Sequence, residues 1–254
     1  MTTLSSFPRS GRRSAAVICA FTALLVGLIC AAAALSAGLG YRSGLWPLGD
    51  GFLILRYAVF GALAGAVLAL LAWALTRRAR GAPGRTLAIL ALALNIVVAL
   101  PPLYLYAQAQ RLPKIHDIST DTRDPPVFVA VLPLRQGARN PVDYLADTAV
   151  QQRLGYPDIV SLPLAVPPAE AFARAEQAAR AMGWQIVAVA PEALRIEATD
   201  STLFFGFKDD IVVRVRAQAQ GSLVDVRSLS RIGGSDIGAN AQRVRRYLKR
   251  LAAA

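Results

Sequence analysis

Phe52-Leu-Ile-Leu-Arg-Tyr-Ala-Val-Phe-Gly-Ala-Leu-Ala-Gly-Ala-Val-Leu-Ala-Leu-Leu-Ala-Trp-Ala-Leu75 contains no Lys, Asp or Glu and has no polar face. A helix rises ~1.5 Å per residue, so about 20 such residues cross ~30 Å of hydrocarbon. Two further runs of the same kind, Ala15–Leu39 and Thr86–Tyr106, lie on either side. Buried helices of soluble proteins rarely lack a polar stripe over this length. Three transmembrane helices, at about 15–39, 52–75 and 86–106, therefore fill a membrane anchor over residues 1–110. The overall hydrophobic content of 55% is too high for one soluble domain and is concentrated at this end.

The first run follows Arg9, Arg12 and Arg13, as a signal peptide would, but it exceeds the ~7–15 apolar residues of a signal core. Its length favours an uncleaved anchor. Orientation follows from the arginines. The N-terminal tail carries three, the second connection carries Arg77, Arg78, Arg80 and Arg85 with no acid, and the first connection has Arg42 and Arg56 against Asp50. Basic loops are retained in the cytoplasm. The N-terminus is thus expected in the cytoplasm and everything after the third span outside, in the periplasm of a bacterial inner membrane.

The same division explains the net charge of +12. Residues 1–110 hold nine basic and one acidic residue, and residues 111–254 hold nineteen and fifteen. Most of the excess is topology signal and contact with membrane lipids, so nucleic acid is not an expected partner. Cys19 and Cys30 both fall in the first run, which leaves the exported part without a disulfide framework or a thiolate metal site.

Within the spans, Gly61 and Gly65 form a small-xxx-small pair that suits close helix packing, first within the chain and second between copies. Asn95 is the strongly polar side chain in the third span and is expected to hydrogen-bond to a neighbouring helix. Pro101-Pro102 is expected to break or kink that span, with Tyr104 and Tyr106 at the outer interface. Three spans without buried charge do not suit a transporter.

Residues 111–160 are rich in Pro and Asp and read as a long stalk or a wrapping segment, with a short helix near Val142–Arg153. Residues 161–254 turn regular. Ala169–Met182 has Phe172, Ala175, Ala179 and Met182 at helical spacing, with Gly183 as the stop. Strands follow at Trp184–Ala190, Leu194–Thr199, Ile211–Ala217 and Leu223–Ser230, each alternating apolar and polar. Val160–Pro163 supplies an earlier strand. A last helix, capped by Ser235 or Asp236, turns Ile237, Ala241, Val244, Leu248 and Leu251 inward, with Arg243, Arg246, Lys249 and Arg250 toward water. The order implies an α+β domain: an antiparallel sheet covered on one face by two helices.

Several ordered blocks resemble the bacterial domain-of-unknown-function 1499 (DUF1499) family. They are Arg195-Ile-Glu-Ala-Thr-Asp200, Phe205-Gly-Phe-Lys-Asp-Asp210, Val212-Val-Arg-Val-Arg216, Val224-Asp-Val-Arg-Ser-Leu-Ser-Arg231 and Gly234-Ser-Asp-Ile-Gly-Ala-Asn240. Upstream, Ile115-His-Asp-Ile-Ser-Thr-Asp121 with Asp124-Pro-Pro126 is similar to the opening of its membrane-anchored branch. The resemblance spans roughly Leu112–Leu251 and implies a fold, with no activity attached. Other members begin the domain with a Cys-containing segment that this chain lacks, so no role of that cysteine carries over.

His116 is the single histidine, which excludes a His-rich metal centre, and its plain reading is a linker or packing residue. Chemistry, if any, concentrates at Asp200, Lys208, Asp209, Asp210, Arg214, Arg227, Arg231 and Asp236. These can grip an anionic group or a cation, or pair across strands on a wet sheet face, which is the plainer reading. Phe204, Phe205 and Phe207 cap the core or form an apolar tip. No cofactor is expected, since no glycine motif has nucleotide-loop spacing. Two functions follow. The first is a non-enzymatic accessory or binding protein presenting the domain to an envelope protein or lipid. The alternative is an envelope-lipid hydrolase or transferase, with Asp200, Asp209 or Asp236 as acid, base or metal ligand and Arg214 or Arg227 as anion grip.

Overall fold

The computed structural model describes residues 9–76 and 84–253. Arg77, Arg78 and Arg80, which carry much of the orientation signal, lie outside those residues. The chain divides into two compact units, 1–107 and 108–254.

The first unit contains α1 (Arg9–Arg42), α2 (Leu48–Thr76) and α3 (Arg85–Arg111), three helices long and apolar enough to cross a membrane. Alanines make their contacts: Ala20, Ala23, Ala62, Ala69, Ala72, Ala88 and Ala91 are all fully buried. Lipid tails match Leu in polarity, so close backbone approach and hydrogen bonds take over from the hydrophobic effect here. Asn95 supplies the bond, its Nδ2 donating to the Ala23 carbonyl of α1 at 3.0 Å and to the Ala91 carbonyl at 2.8 Å. Both glycines of the pair are occupied within the chain. A Cβ on Gly65 would stand 2.4 Å from Asn95 Oδ1, and one on Gly61 would stand 2.6 Å from Cys30 Sγ. Of the break or kink expected at Pro101-Pro102, a break does not occur; α3 runs through both. In hydrocarbon a helix keeps every other backbone bond internal, so continuing past two missing donors costs less than unwinding.

The second unit is built on a six-stranded antiparallel sheet: β1 (Asp117–Ser119), β2 (Leu162–Leu164), β3 (Gln185–Ala190), β4 (Arg195–Ser201), β5 (Lys208–Gln218) and β6 (Gly221–Ser230). Its order is β1-β6-β5-β4-β3, and β2 also pairs with β6. Helices α4 (Ala146–Gly155), α5 (Pro168–Ala181) and α6 (Ala239–Ala252) complete it. The β5–β6 turn needs Gly221, at φ +106°, where a Cβ would meet the Leu164 carbonyl oxygen at 2.2 Å.

Strand alternation sorts the sheet into two faces. Ile196, Ala198, Ile211, Val213, Val215, Val224 and Val226 form one core with Phe172, Ala175 and Ala179 of α5 and with Val244, Tyr247 and Leu251 of α6. Trp184 stacks on Tyr247, with ring centroids 5.0 Å apart. The other face was expected to be wet and is covered instead. Val212 and Leu229 pack there with Phe128 and Val131, which belong to the Pro/Asp-rich segment. Of the two readings of that segment, wrapping holds and a free stalk does not. The segment donates β1 and α4 to the domain, and residues 121–145 lie across the sheet as a strap.

Candidate functional site

The candidate residues do not gather in one place, because neighbouring strand positions point to opposite faces. Asp200 and Asp209 sit directly across from each other on β4 and β5, on the helix-covered face. Like charges in that register repel. Arg243 of α6 resolves the conflict, with Nε 2.8 Å from Asp200 and Nη2 2.6 Å from Asp209. It also donates to Asn240 Oδ1 and to Ser228 Oγ, the latter at 3.1 Å. Arg243 is thus buried, a correction to its expected place among the solvent-facing cations of α6. Helical periodicity alone could not find it, because only the tertiary fold puts two carboxylates under that position.

Asp210, one residue on, points the other way. Its carboxylate is fully buried and accepts from Arg135 Nη1 at 2.6 Å, Arg231 Nε at 2.9 Å and Thr199 Oγ1 at 2.8 Å. Arg135 is on the strap, and Arg231 also donates to the strap carbonyl of Leu134 at 2.6 Å. Glu197 works in the same way, with Oε2 accepting the N–H groups of Val129 and Val131, each at 3.0 Å. Neither Arg135 nor Glu197 stands out in the sequence. The available signal was the continuous apolar run Val127–Val131 inside an otherwise Pro- and Asp-rich segment.

Arg227 is held by Asp117 and donates to the carbonyls of Pro126 at 3.2 Å and Val142 at 2.6 Å. The rings of Phe128 and Tyr144 lie 5.1 and 5.3 Å from its guanidinium carbon. This is a desolvated cation between aromatic faces, fully used in fixing the strap. Arg214 and Arg216 share the buried Asp225 at 3.1 and 2.8 Å and extend to Asp121 and Asp124 at the start of the strap. A hollow of about 470 Å³, open to solvent, lies beside them between Asp121, Asp124, Ser161 and Arg216. Burial pushes the Asp121 carboxyl up, but the N–H groups of Asp124 and Arg123, with Arg216, outweigh it and hold the group below its ordinary value.

Asp236 belongs to neither face. It closes the entry to α6, accepting from the N–H groups of Gly238 and Asn240, both at 2.8 Å. Burial pushes its carboxyl above the usual range, against the pull of those donors. Lys208 is exposed at the start of β5, and its carbonyl accepts from the Arg231 N–H at 2.9 Å. Phe205 and Phe207 stack at 5.1 Å, and Phe204 meets Phe205 edge-on. A backbone bond from Thr202 N–H to the Phe207 carbonyl closes that loop.

Among the described residues, no group of three His, Cys, Asp or Glu side chains is placed to hold a metal ion. Six of the ten candidates are tied into ion pairs: Asp200 and Asp209 with Arg243 of α6, Asp210 with Arg135 of the strap and with Arg231, Arg214 with Asp225 and with Asp121 and Asp124 of the strap, and Arg227 with Asp117 of β1. The chemistry available is that of charge-assisted fastening.

Three apolar helices followed by a sheet enclosed between two helices and a strap define a membrane-anchored α+β protein. The chain belongs to the family described as protein of unknown function (DUF1499), which matches residues 117–251, more than half of its length. No curated protein matches it.

Proposed function

We propose that this protein is a non-enzymatic accessory or binding protein of the bacterial inner membrane. Its N-terminus lies in the cytoplasm, and its DUF1499 domain is held in the periplasm to contact an envelope protein or lipid. The orientation rests on the arginine-rich tail and second connection against the sparsely charged first connection.

One observation carries the binding role: Asp200, Asp209 and Asp210 are each neutralised by arginine and divided between two covered faces. An acid or base must reach a reacting proton at about 2.6–3.2 Å in a pocket that also holds the substrate. Carboxylates occupied in this way serve rigidity, and a rigid domain on an anchor suits presentation of a surface.

Two measurements test the reading. An alkaline phosphatase fusion after Lys114 should be active; inactivity there, with an active cytoplasmic reporter, overturns the orientation. The full-length protein, crosslinked in native membranes and purified in mild detergent, should retain a defined protein or phospholipid. Retention of neither overturns the binding role.

A further inference from the structure

Helix α6 carries five cations and no acid: Arg243, Arg245, Arg246, Lys249 and Arg250. Two of them are neutralised, Arg243 by Asp200 and Asp209 and Arg245 by Asp158 at 2.6 Å. Arg246, Lys249 and Arg250 are exposed, and among the described residues none of the three has an ion-pair partner. Their spacing of three and four residues puts them side by side on one face.

The contrast with α5 is informative. There Arg174 and Arg180 each follow a glutamate by one turn, Glu170 at 2.6 Å and Glu176 at 2.7 Å, so its exposed face is balanced. On α6 the i,i+4 pair Arg246/Arg250 is repulsive instead. The helix dipole favours cations in the last turn, which accounts for Lys249 and Arg250 being tolerated. It does not account for a face with no acid at all, in a domain whose α5 and strand arginines are matched to carboxylates.

We propose that the Arg246, Lys249 and Arg250 face of α6 docks on the anionic phospholipid headgroups of the membrane that anchors the chain. The charge is complementary, and lipid phosphates accept from guanidinium and ammonium groups without needing a shaped pocket. Because α3 tethers the domain, the surface is always at high effective concentration, so three cations suffice where a free domain would need more. This deepens the binding role by naming the partner as lipid.

The chain's three lysines, Lys114, Lys208 and Lys249, make the test direct. Full-length protein is reconstituted in nanodiscs of zwitterionic lipid or with about a third anionic phospholipid, and amine acylation at each lysine is followed by mass spectrometry. Anionic lipid should slow Lys249 by roughly 5- to 10-fold at low salt. The effect should vanish near ~1 M salt, where screening shortens to ~3 Å. Lys208, exposed at the start of β5, should be unaffected and serves as the internal reference for amine reactivity in each nanodisc. In R246E/R250E, and in the milder R246Q/R250Q, Lys249 should react equally fast in both lipids.

Equal reactivity of wild-type Lys249 in both nanodiscs overturns the proposal. So does protection seen only in native membranes, which would assign the face to an acidic protein. In either case a retained protein partner would leave the broader binding role standing.

Discussion

Arg227 and Asp117, 110 residues apart in sequence, meet as a fork: Nε to Oδ1 at 3.0 Å and Nη2 to Oδ2 at 2.7 Å, both side chains out of solvent. The bond ties β1, the first strand after the anchor, to its neighbour β6. Removing one member leaves the other charged and buried, a loss of about 3–5 kcal/mol. Asp117→Ala should therefore lower the denaturant midpoint of the domain sharply in detergent-solubilised protein. Arg227→Lys should recover only part of the stability, since an ammonium cannot reproduce the fork. An Asp117→Ala loss below about 1 kcal/mol, the size of an exposed pair, would refute the assignment.

The strap depends on Asp210. Asp210→Asn and Arg135→Ala should each expose residues 121–145, seen as faster tryptic cleavage after Arg139. Both changes break one network, so the double variant should be less damaged than the sum, with a coupling of about 1–3 kcal/mol. Additive effects would mean that Arg135 does not act through Asp210.

Arg243→Ala should uncover the repulsion between Asp200 and Asp209. Its cost, about 3–5 kcal/mol, should shrink when Asp209→Asn is added, because one charge then disappears from the pair. A rescue of this kind is not expected from Asp158→Asn, whose partner is Arg245. If Asp209→Asn makes Arg243→Ala worse, the pairing is misassigned.

The pH dependence has a sign. Asp121 titrates lower in the folded domain than the ordinary ~3.9 of a free aspartate. Its stabilising contribution is therefore complete above that value and is lost as pH falls through the lower, folded one. Asp236 is raised, so it contributes in the opposite direction: ionising it costs the folded state, and stability from this group is recovered as pH falls through its raised value. Asp121→Asn should flatten the acid limb of strap protection, measured by hydrogen exchange of residues 121–145. Asp236→Asn should leave that limb unchanged.

In the anchor, Gly65→Val should destabilise helix packing by about 1–2 kcal/mol, measured as loss of thermal stability in detergent. Asn95→Ala in the same chain should relieve part of that loss, since Asn95 Oδ1 is the atom that a Cβ at position 65 meets. No relief would mean that the two helices can separate without cost.

Much of this protein is legible from one dimension. The three spans rest on unbroken apolar length, and α5, α6 and the four main strands each rest on a period of hydrophobicity; both signals are local and survive whatever the chain does elsewhere. Val212-Val-Arg-Val-Arg216 announces a strand because its alternation is its own. The blocks from Arg195 to Asn240 announce the family in the same way. The strap was legible only as one of two readings. Asp124-Pro-Pro126 and Leu132-Pro133 forbid regular structure locally, and such a segment reads as a stalk or as a wrapping segment until its partners are known.

What the sequence by itself determined is thus the anchor, the α+β order and the list of charged strand residues. What only the tertiary structure decided is the meaning of those charges. Asp209 and Asp210 are adjacent in the chain, yet one serves α6 and the other the strap, because a strand turns successive side chains to opposite faces and the partners, Arg243 and Arg135, arrive from distant sequence. The value of a buried charge lies in the group opposite it, and that neighbour exists only once the chain has folded.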